Sequence, residues 1–344
     1  MPITKTNEKI DINKRRIING ADADVIQLYP MKHKFAWEAY NVGNANHWLP
    51  TEISMQKDIE QWKSPTFLTD DERVALKTVL GFFTTADSIA ANNIVIAAYR
   101  HITSPECRMY LLRQGYEEAI HTHAYQYIVE SLGLDEGEIF NMYREVEAIY
   151  NKASFVLTFN EGIFNPEFKT GTFENDQKFL ENIVVFSLIM EGIFFYSSFA
   201  VMFGFQRQNK MQGCAEQIQY IMRDESQHLN FGINLINTIK EEQPELWTPE
   251  FQERVIKLVK EAVEMESTFA RTVFPKGIFG MNAEGFHQYI QYIADRRLAR
   301  VDLPLQYNVG NPFPWMSEAI DLSKEKNFFE TRVTEYQVGG TLDW

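Results

Sequence analysis

A chain of 344 residues has the length of one large domain or two ordinary ones, and a composition 45% apolar and 14% aromatic supplies ample core surface, which excludes a disordered or low-complexity polymer. A net charge of −14 leaves no basic face for nucleic acid. Two cysteines, Cys107 and Cys214, are too few for a disulfide scaffold and point to a reduced, cytoplasmic setting.

The opening residues, Met1 to Glu8, lack the apolar run of a signal peptide. The N-terminal 60 residues read as irregular packing segments, with 1–35 as an N-terminal arm. Helices then dominate. Thr69-Asp70-Asp71-Glu72 forms a capping box and opens a helix to about Arg100. Ser104-Pro105-Glu106 supplies a cap, a proline at the first helical position and an acid in the first turn, and that helix stops at Gly133. Thr172 to Asp176 begins another, whose portion from Asn182 to Phe205 has 24 residues and a single charge, Glu191. Its length would span a bilayer, but Lys, Arg or Trp anchors do not flank both ends. A buried central helix is therefore expected, with no membrane as partner. Further helices are expected from Asn209 to about Lys240, Thr248 to about Val273 and Asn282 to Val301, while Asn311-Pro312-Phe313-Pro314-Trp315 reads as irregular. Strand signals are weak. Helices approaching 30 residues, about 45 Å long, suit one all-α bundle over residues 36–320, with a flexible tail over 321–344.

Among the seven histidines, two stand out in the pattern Glu-x-x-His: His121 with Glu118, and His228 with Glu225. Three residues on a helix bring both side chains to one face, a spacing that suits two ligands of one metal ion. Taken alone this is a weak signal, and a third pair, Glu284 with His287, also occurs. Context separates the first two. Asp87 precedes Glu118 by 31 residues on the preceding helix, and Glu191 precedes Glu225 by 34. No basic residue lies between Lys178 and Arg207 to neutralise Glu191, so a cation is the expected compensation. Each half thus supplies a lone carboxylate on one helix and Glu-x-x-His on the next. This ligand pattern resembles the ferritin-like dinuclear carboxylate proteins. Glu284 has no such partner and is expected on an exposed first turn. Carboxylates with imidazoles suit iron or manganese, and the lack of thiolates disfavours structural zinc.

Tyr125 follows His121 by one helical turn, on the same face. Phe195 and Phe199 follow Glu191 at i+4 and i+8, and Ile221 precedes Glu225 by a turn, so all three are expected to wall a phenol off from water.

Asp87 with its neighbours, the run Glu118 to Tyr125, Glu191 to Phe199 and Arg223-Asp224-Glu225-Ser226-Gln227-His228 resemble the small, radical-generating subunit of class I ribonucleotide reductase. So do Trp48 in His47-Trp48-Leu49-Pro50, the Asn311 to Trp315 segment and the tail from Glu330 to Tyr336, over most of the chain from about Ala36 onward. The resemblance implies a ferritin-like helical bundle with further peripheral helices, acting as a homodimer with a large subunit that reduces ribonucleoside diphosphates to deoxyribonucleotides for DNA replication. It assigns Asp87, Glu118 and His121 to a first metal and Glu191, Glu225 and His228 to a second, with Glu118 and Glu225 bridging. It makes Tyr125 the radical site, Phe195, Phe199 and Ile221 its pocket, and Asp224 the link between His121 and Trp48. Tyr336 is implied as the tail relay, with Glu330 beside it. Two irons are the expected cofactor, two manganese ions the alternative, and a mixed manganese–iron pair is disfavoured by the tyrosine.

The cysteine count agrees with a two-chain enzyme, because the family's reduction needs at least three thiols and this chain has two. It also lacks a Gly-rich phosphate loop. Two rivals share the ligand pattern. A dinuclear-iron monooxygenase, desaturase or oxidase would need neither Tyr125 nor a relay tail, and an iron-storage protein would have shorter subunits.

Overall fold

The structure, a computed structural model, describes residues 11–20 and 26–317. Ten helices carry the architecture: α1 Lys34–Ala45, α2 Gln56–Lys63, α3 Asp70–His101, α4 Pro105–Leu132, α5 Glu136–Glu145, α6 Glu147–Thr158, α7 Phe173–Arg207, α8 Gln212–Glu242, α9 Pro249–Val273 and α10 Ala283–Ala299. Among the described residues there is no strand, only two isolated bridges. The fold is an all-α, ferritin-like bundle.

The starts follow the protein's own chemistry. The Thr69 capping box closes with both reciprocal hydrogen bonds, and Ser104, Thr172, Thr248 and Asn282 each accept from a first-turn amide. Gly133 ends α4 at φ 64°, a left-handed conformation that a side chain disfavours. Helix α8 has no cap of its own. Asp58, buried on α2, supplies it by accepting from the amides of Gly213 (3.1 Å) and Cys214 (2.7 Å).

Two helix pairs, α3 with α4 and α7 with α8, pack together at the centre, and α4 also meets α8. Helix α1 lies along α4 and α8, while α9 and α10 cover α7. The apolar portion of α7 is wholly buried by these neighbours, as a core helix rather than a membrane span. Both lone-acid helices contain i→i+5 stretches, Asn93–Ala98 in α3 and Val185–Phe194 in α7. Such stretches recur at functional sites.

The structure corrects the reading of the first 60 residues as irregular, since α1 and α2 form there. It also adds α5 and α6, and turns helical from Pro314. The arm is pinned as well as packed. Ile17 and Ile18 are fully buried. His33 faces Ser104 Oγ with Nδ1 (2.9 Å) and Glu242 Oε1 with Nε2 (3.1 Å), while the Ser104 hydroxyl donates to Glu106. With the Ser104 proton on Glu106, both ring nitrogens face acceptors, an arrangement that favours the imidazolium. Lys32 and Arg15 complete the cluster at 2.6 Å from Glu242 and 3.7 Å from Glu106.

Burial alone would lower the His33 pKa, but the two carboxylates raise it. Burial alone would raise the pKa of Glu106, yet its hydrogen bonds hold it at about 2. The sign of the pH dependence follows. The His33 contribution is full below about 6.5 and fades as pH rises through its raised value. The Glu106 contribution is full above about 4.5 and fades as pH falls toward 2. Thermal melts should show an arm contribution greatest between these limits, and His33→Gln should flatten its alkaline side. Parallel curves for the two proteins above pH 6 would contradict the lock.

Candidate metal centre

Four helices deliver six side chains to one buried layer. Asp87 comes from α3, Glu118 and His121 from α4, Glu191 from the i→i+5 stretch of α7, and Glu225 and His228 from α8. Their donor atoms form two overlapping groups: Asp87, Glu118, His121 and Glu225, then Glu118, Glu191, Glu225 and His228, each within a 4.8 Å span. Glu118 and Glu225 belong to both. That overlap is the arrangement in which two ions share two carboxylates.

The protein leaves these atoms without ordinary partners. Asp87 Oδ1, both oxygens of Glu118 and of Glu225, Glu191 Oε2, and the Nδ1 atoms of His121 and His228 are buried without a hydrogen bond. Several lie close, such as His121 Nδ1 to Glu225 Oε1 at 3.2 Å and His228 Nδ1 to Glu118 Oε1 at 3.2 Å, but not in hydrogen-bond alignment. Buried polar atoms are normally satisfied, so this many orphans in one layer fit a cation. Four carboxylates and two neutral imidazoles carry −4, which two divalent ions balance. The donors are oxygen and imidazole nitrogen, suited to iron or manganese. Cys107 and Cys214 are elsewhere, and burial pushes both thiols up, leaving them unreactive.

Outer partners fix which nitrogen faces the layer. His121 turns Nε2 to Asp224 Oδ2 (3.3 Å), and Asp224 also accepts from the Trp48 indole (2.8 Å). His228 turns Nε2 to Glu117 Oε2 (2.8 Å), with Arg113 held by Glu117 at 3.0 Å. Each Nδ1 lone pair is thereby presented inward. Burial raises Asp87 and Glu191, whereas the surrounding carboxylates outweigh burial and raise both histidines. Burial would also raise Glu118, but the two imidazoles keep it low.

Tyr125 is fully buried, and its hydroxyl donates to Asp87 Oδ2 at 2.7 Å. Burial and the Asp87 charge push its pKa well up, so it stays a phenol. The ring stacks on Phe83 (5.5 Å, 4°), and Phe83 in turn meets Phe195 and Phe199. Phe195, Phe199 and Ile221 are all fully buried. Sequence reasoning missed Phe83, although it stands one turn before Asp87. It also missed Glu117, hidden beside Glu118; Gln114, which donates to Glu191 Oε1 at 2.9 Å; and Tyr220, stacked on Trp48 at 5.2 Å.

The third Glu-x-x-His pair is not part of this layer. Glu284 is exposed in the first turn of α10, and His287 bonds Ser267 (2.6 Å) and Gln291 (2.8 Å). Glu330 and Tyr336 lie outside the described residues.

Comparison with known proteins gives the same direction. Residues 25–312 match the family model described as ribonucleotide reductase, small chain. A ribonucleoside-diphosphate reductase subunit beta of Chlamydia pneumoniae is 53% identical over 97% of its own length and 98% of this chain. A small subunit of the Arabidopsis thaliana ribonucleoside-diphosphate reductase is 31% identical over 86% of its own length and 92% of this chain. Among solved structures, the R2 subunit of Clostridium botulinum ribonucleotide reductase superposes with a TM-score of 0.82 at 29% identity, covering 98% of that protein and 93% of this one. Extent, identity and architecture agree: the protein belongs to the ribonucleotide reductase small-chain family.

Proposed function

We propose that this protein generates and stores a tyrosyl radical at Tyr125 and relays it to a large subunit that reduces ribonucleotides. The observation that carries this reading is a pair of ligand groups sharing Glu118 and Glu225, with the Tyr125 hydroxyl hydrogen-bonded to one of the ligands. Asp87, Glu118 and His121 would hold the first ion, and Glu191, Glu225 and His228 the second, with Glu118 and Glu225 bridging. Two irons are the proposed occupants, with two manganese ions as the alternative.

A reduced metal pair held by these six residues would supply electrons to dioxygen, and the oxidising equivalent so generated would take one electron from Tyr125. The protein's own residues handle the proton, the shielding and the path outward. Tyr125 gives up one electron and passes its phenolic proton along the 2.7 Å hydrogen bond to Asp87. Phe83 and the rings behind it exclude water and reductants, so the radical persists. Trp48 continues the path toward the surface. Its N–H is held by Asp224, which can take up the proton as the indole is oxidised. Tyr336 is the proposed last carrier on this subunit, with Glu330 beside it.

The direct test is nucleotide reduction on adding the large subunit to air-activated protein. Absence of turnover with a full complement of metal would sink the reading. The tail is tested separately. Tyr336→Phe should assemble metal and form the radical normally yet fail in turnover, because Phe has no phenolic proton and is far harder to oxidise. Loss of the radical in that variant would place Tyr336 in assembly rather than relay.

The proposed homodimer has a candidate face. Val95 and Ile96 are exposed in the i→i+5 stretch of α3, and Leu112 and Tyr116 are exposed on α4. Gly115, between the latter two, lies against Ile94 and Val95, so these residues form one apolar patch of the kind that marks protein association. Sedimentation should give a dimer rather than the cage of an iron-storage protein.

A further inference from the structure

Lys152 is a charged side chain that the proposed radical chemistry does not use. It is 1% exposed, and its ammonium lies 3.4 Å from the ring centroid of Phe82 and 4.1 Å from that of Phe269. Its ion partner is Glu266 of α9, at 2.5 Å and fully buried. A buried pair of this kind is weak as a source of stability and is better attested as a device for fixing one arrangement among several.

The element this pair holds is α7, just beyond Glu191. Lys152 Nζ donates to the carbonyl of Phe194 at 3.1 Å, and the Ser197 hydroxyl donates to Glu266. These contacts straddle Phe195, where the i→i+5 stretch returns to α-helix. A second cation acts on the same stretch from α10. Arg297, buried, donates from Nε to the carbonyl of Gly192 at 2.8 Å. A Cβ on Gly192 would stand 3.2 Å from that Nε and 3.0 Å from the Ser187 carbonyl, so glycine permits the approach. On the opposite side Gly232 of α8 makes room for Ser187, since a Cβ there would lie 2.0 Å from its hydroxyl.

Register matters here because adding or removing one residue in a helical turn rotates the side chains beyond it by about 100°. A slip of α7 into plain α register would swing Glu191 away from Gln114 and from the other ligands. We infer that Lys152 with Glu266, and Arg297, are positioning residues that clamp the carbonyls just after Glu191 and so set the second metal position. This inference rests on the dinuclear reading of the site.

Anaerobic titration with manganese(II), read by calorimetry and EPR, tests it. Lys152→Met/Glu266→Gln removes the Phe194 donor without leaving a buried unpaired charge, and Arg297→Met removes the other clamp. Each should keep the helical content and the first equivalent while weakening the second by about 10- to 100-fold. The exchange-coupled pair signal should give way to that of an isolated ion. Parent-like affinities for both equivalents in both proteins would overturn the inference. So would loss of both equivalents together with the fold, which would make the clamps general stability elements. A parent protein that binds no second equivalent would overturn the dinuclear reading itself, and the inference with it.

Discussion

Tyr125→Phe should bind two equivalents of metal as the parent does, give no radical signal after exposure to air, and reduce no ribonucleotide with the large subunit. Only one hydroxyl is removed. Its hydrogen bond goes to Asp87 Oδ2, which would keep the proposed first metal as a partner, so the stability cost should be about 1 kcal/mol and at most about 3. The ring keeps its stacking on Phe83. The expected result therefore separates chemistry from architecture: metal content and melting temperature nearly unchanged, turnover at background. EPR, elemental analysis and a nucleotide-reduction assay on the same preparation check it. Retained reduction would remove Tyr125 from the mechanism, and loss of metal would show that the hydroxyl matters for assembly instead.

Glu191→Ala and Glu284→Ala should differ sharply. Glu191 is buried, its Oε1 is held by Gln114, and its Oε2 is unpartnered. Its removal deletes a proposed ligand of the second ion, so loading there should fall by more than the roughly 10- to 100-fold that a lost outer partner costs. The first equivalent should remain. Glu284 stands exposed in the first turn of α10, where a carboxylate contributes about 0.3–1 kcal/mol through the helix dipole. Metal loading should not notice its loss. Equal weakening in both variants would mean that the two kinds of Glu-x-x-His pair had been told apart wrongly.

That distinction was available from sequence because it rests on isolation: Asp87 and Glu191 are single acids in apolar stretches of the helices before Glu118 and Glu225, whereas the helix before Glu284 carries acids throughout, Glu250 and Glu253 among them. The long helices were legible through their caps more than through periodicity. Helix α4 shows why. Its inward face carries Glu117, Glu118 and His121, so polar residues break the apolar stripe that a core helix ordinarily displays. Helices α1 and α2 were illegible for a related reason. Neither has a side-chain cap, and each is short with a stripe that is only half-buried, Phe35, Ala39 and Tyr40 in one and Ile59 and Trp62 in the other. Partners set by tertiary approach were out of reach as well. Glu117 meets His228 across 111 residues of sequence, and nothing local in either neighbourhood announces that contact. The i→i+5 stretch around Glu191 has no sequence signature beyond uniform apolarity, yet it sets which way that carboxylate points.

Two cations should sit among these six residues. Anomalous diffraction from crystals of protein purified from its native host, collected on both sides of the iron and manganese edges, tests it most directly and identifies the metal at once. Two peaks are expected, one bounded by Asp87, Glu118, His121 and Glu225, the other by Glu118, Glu191, Glu225 and His228. A single peak, or none in protein that sustains nucleotide reduction, would contradict it.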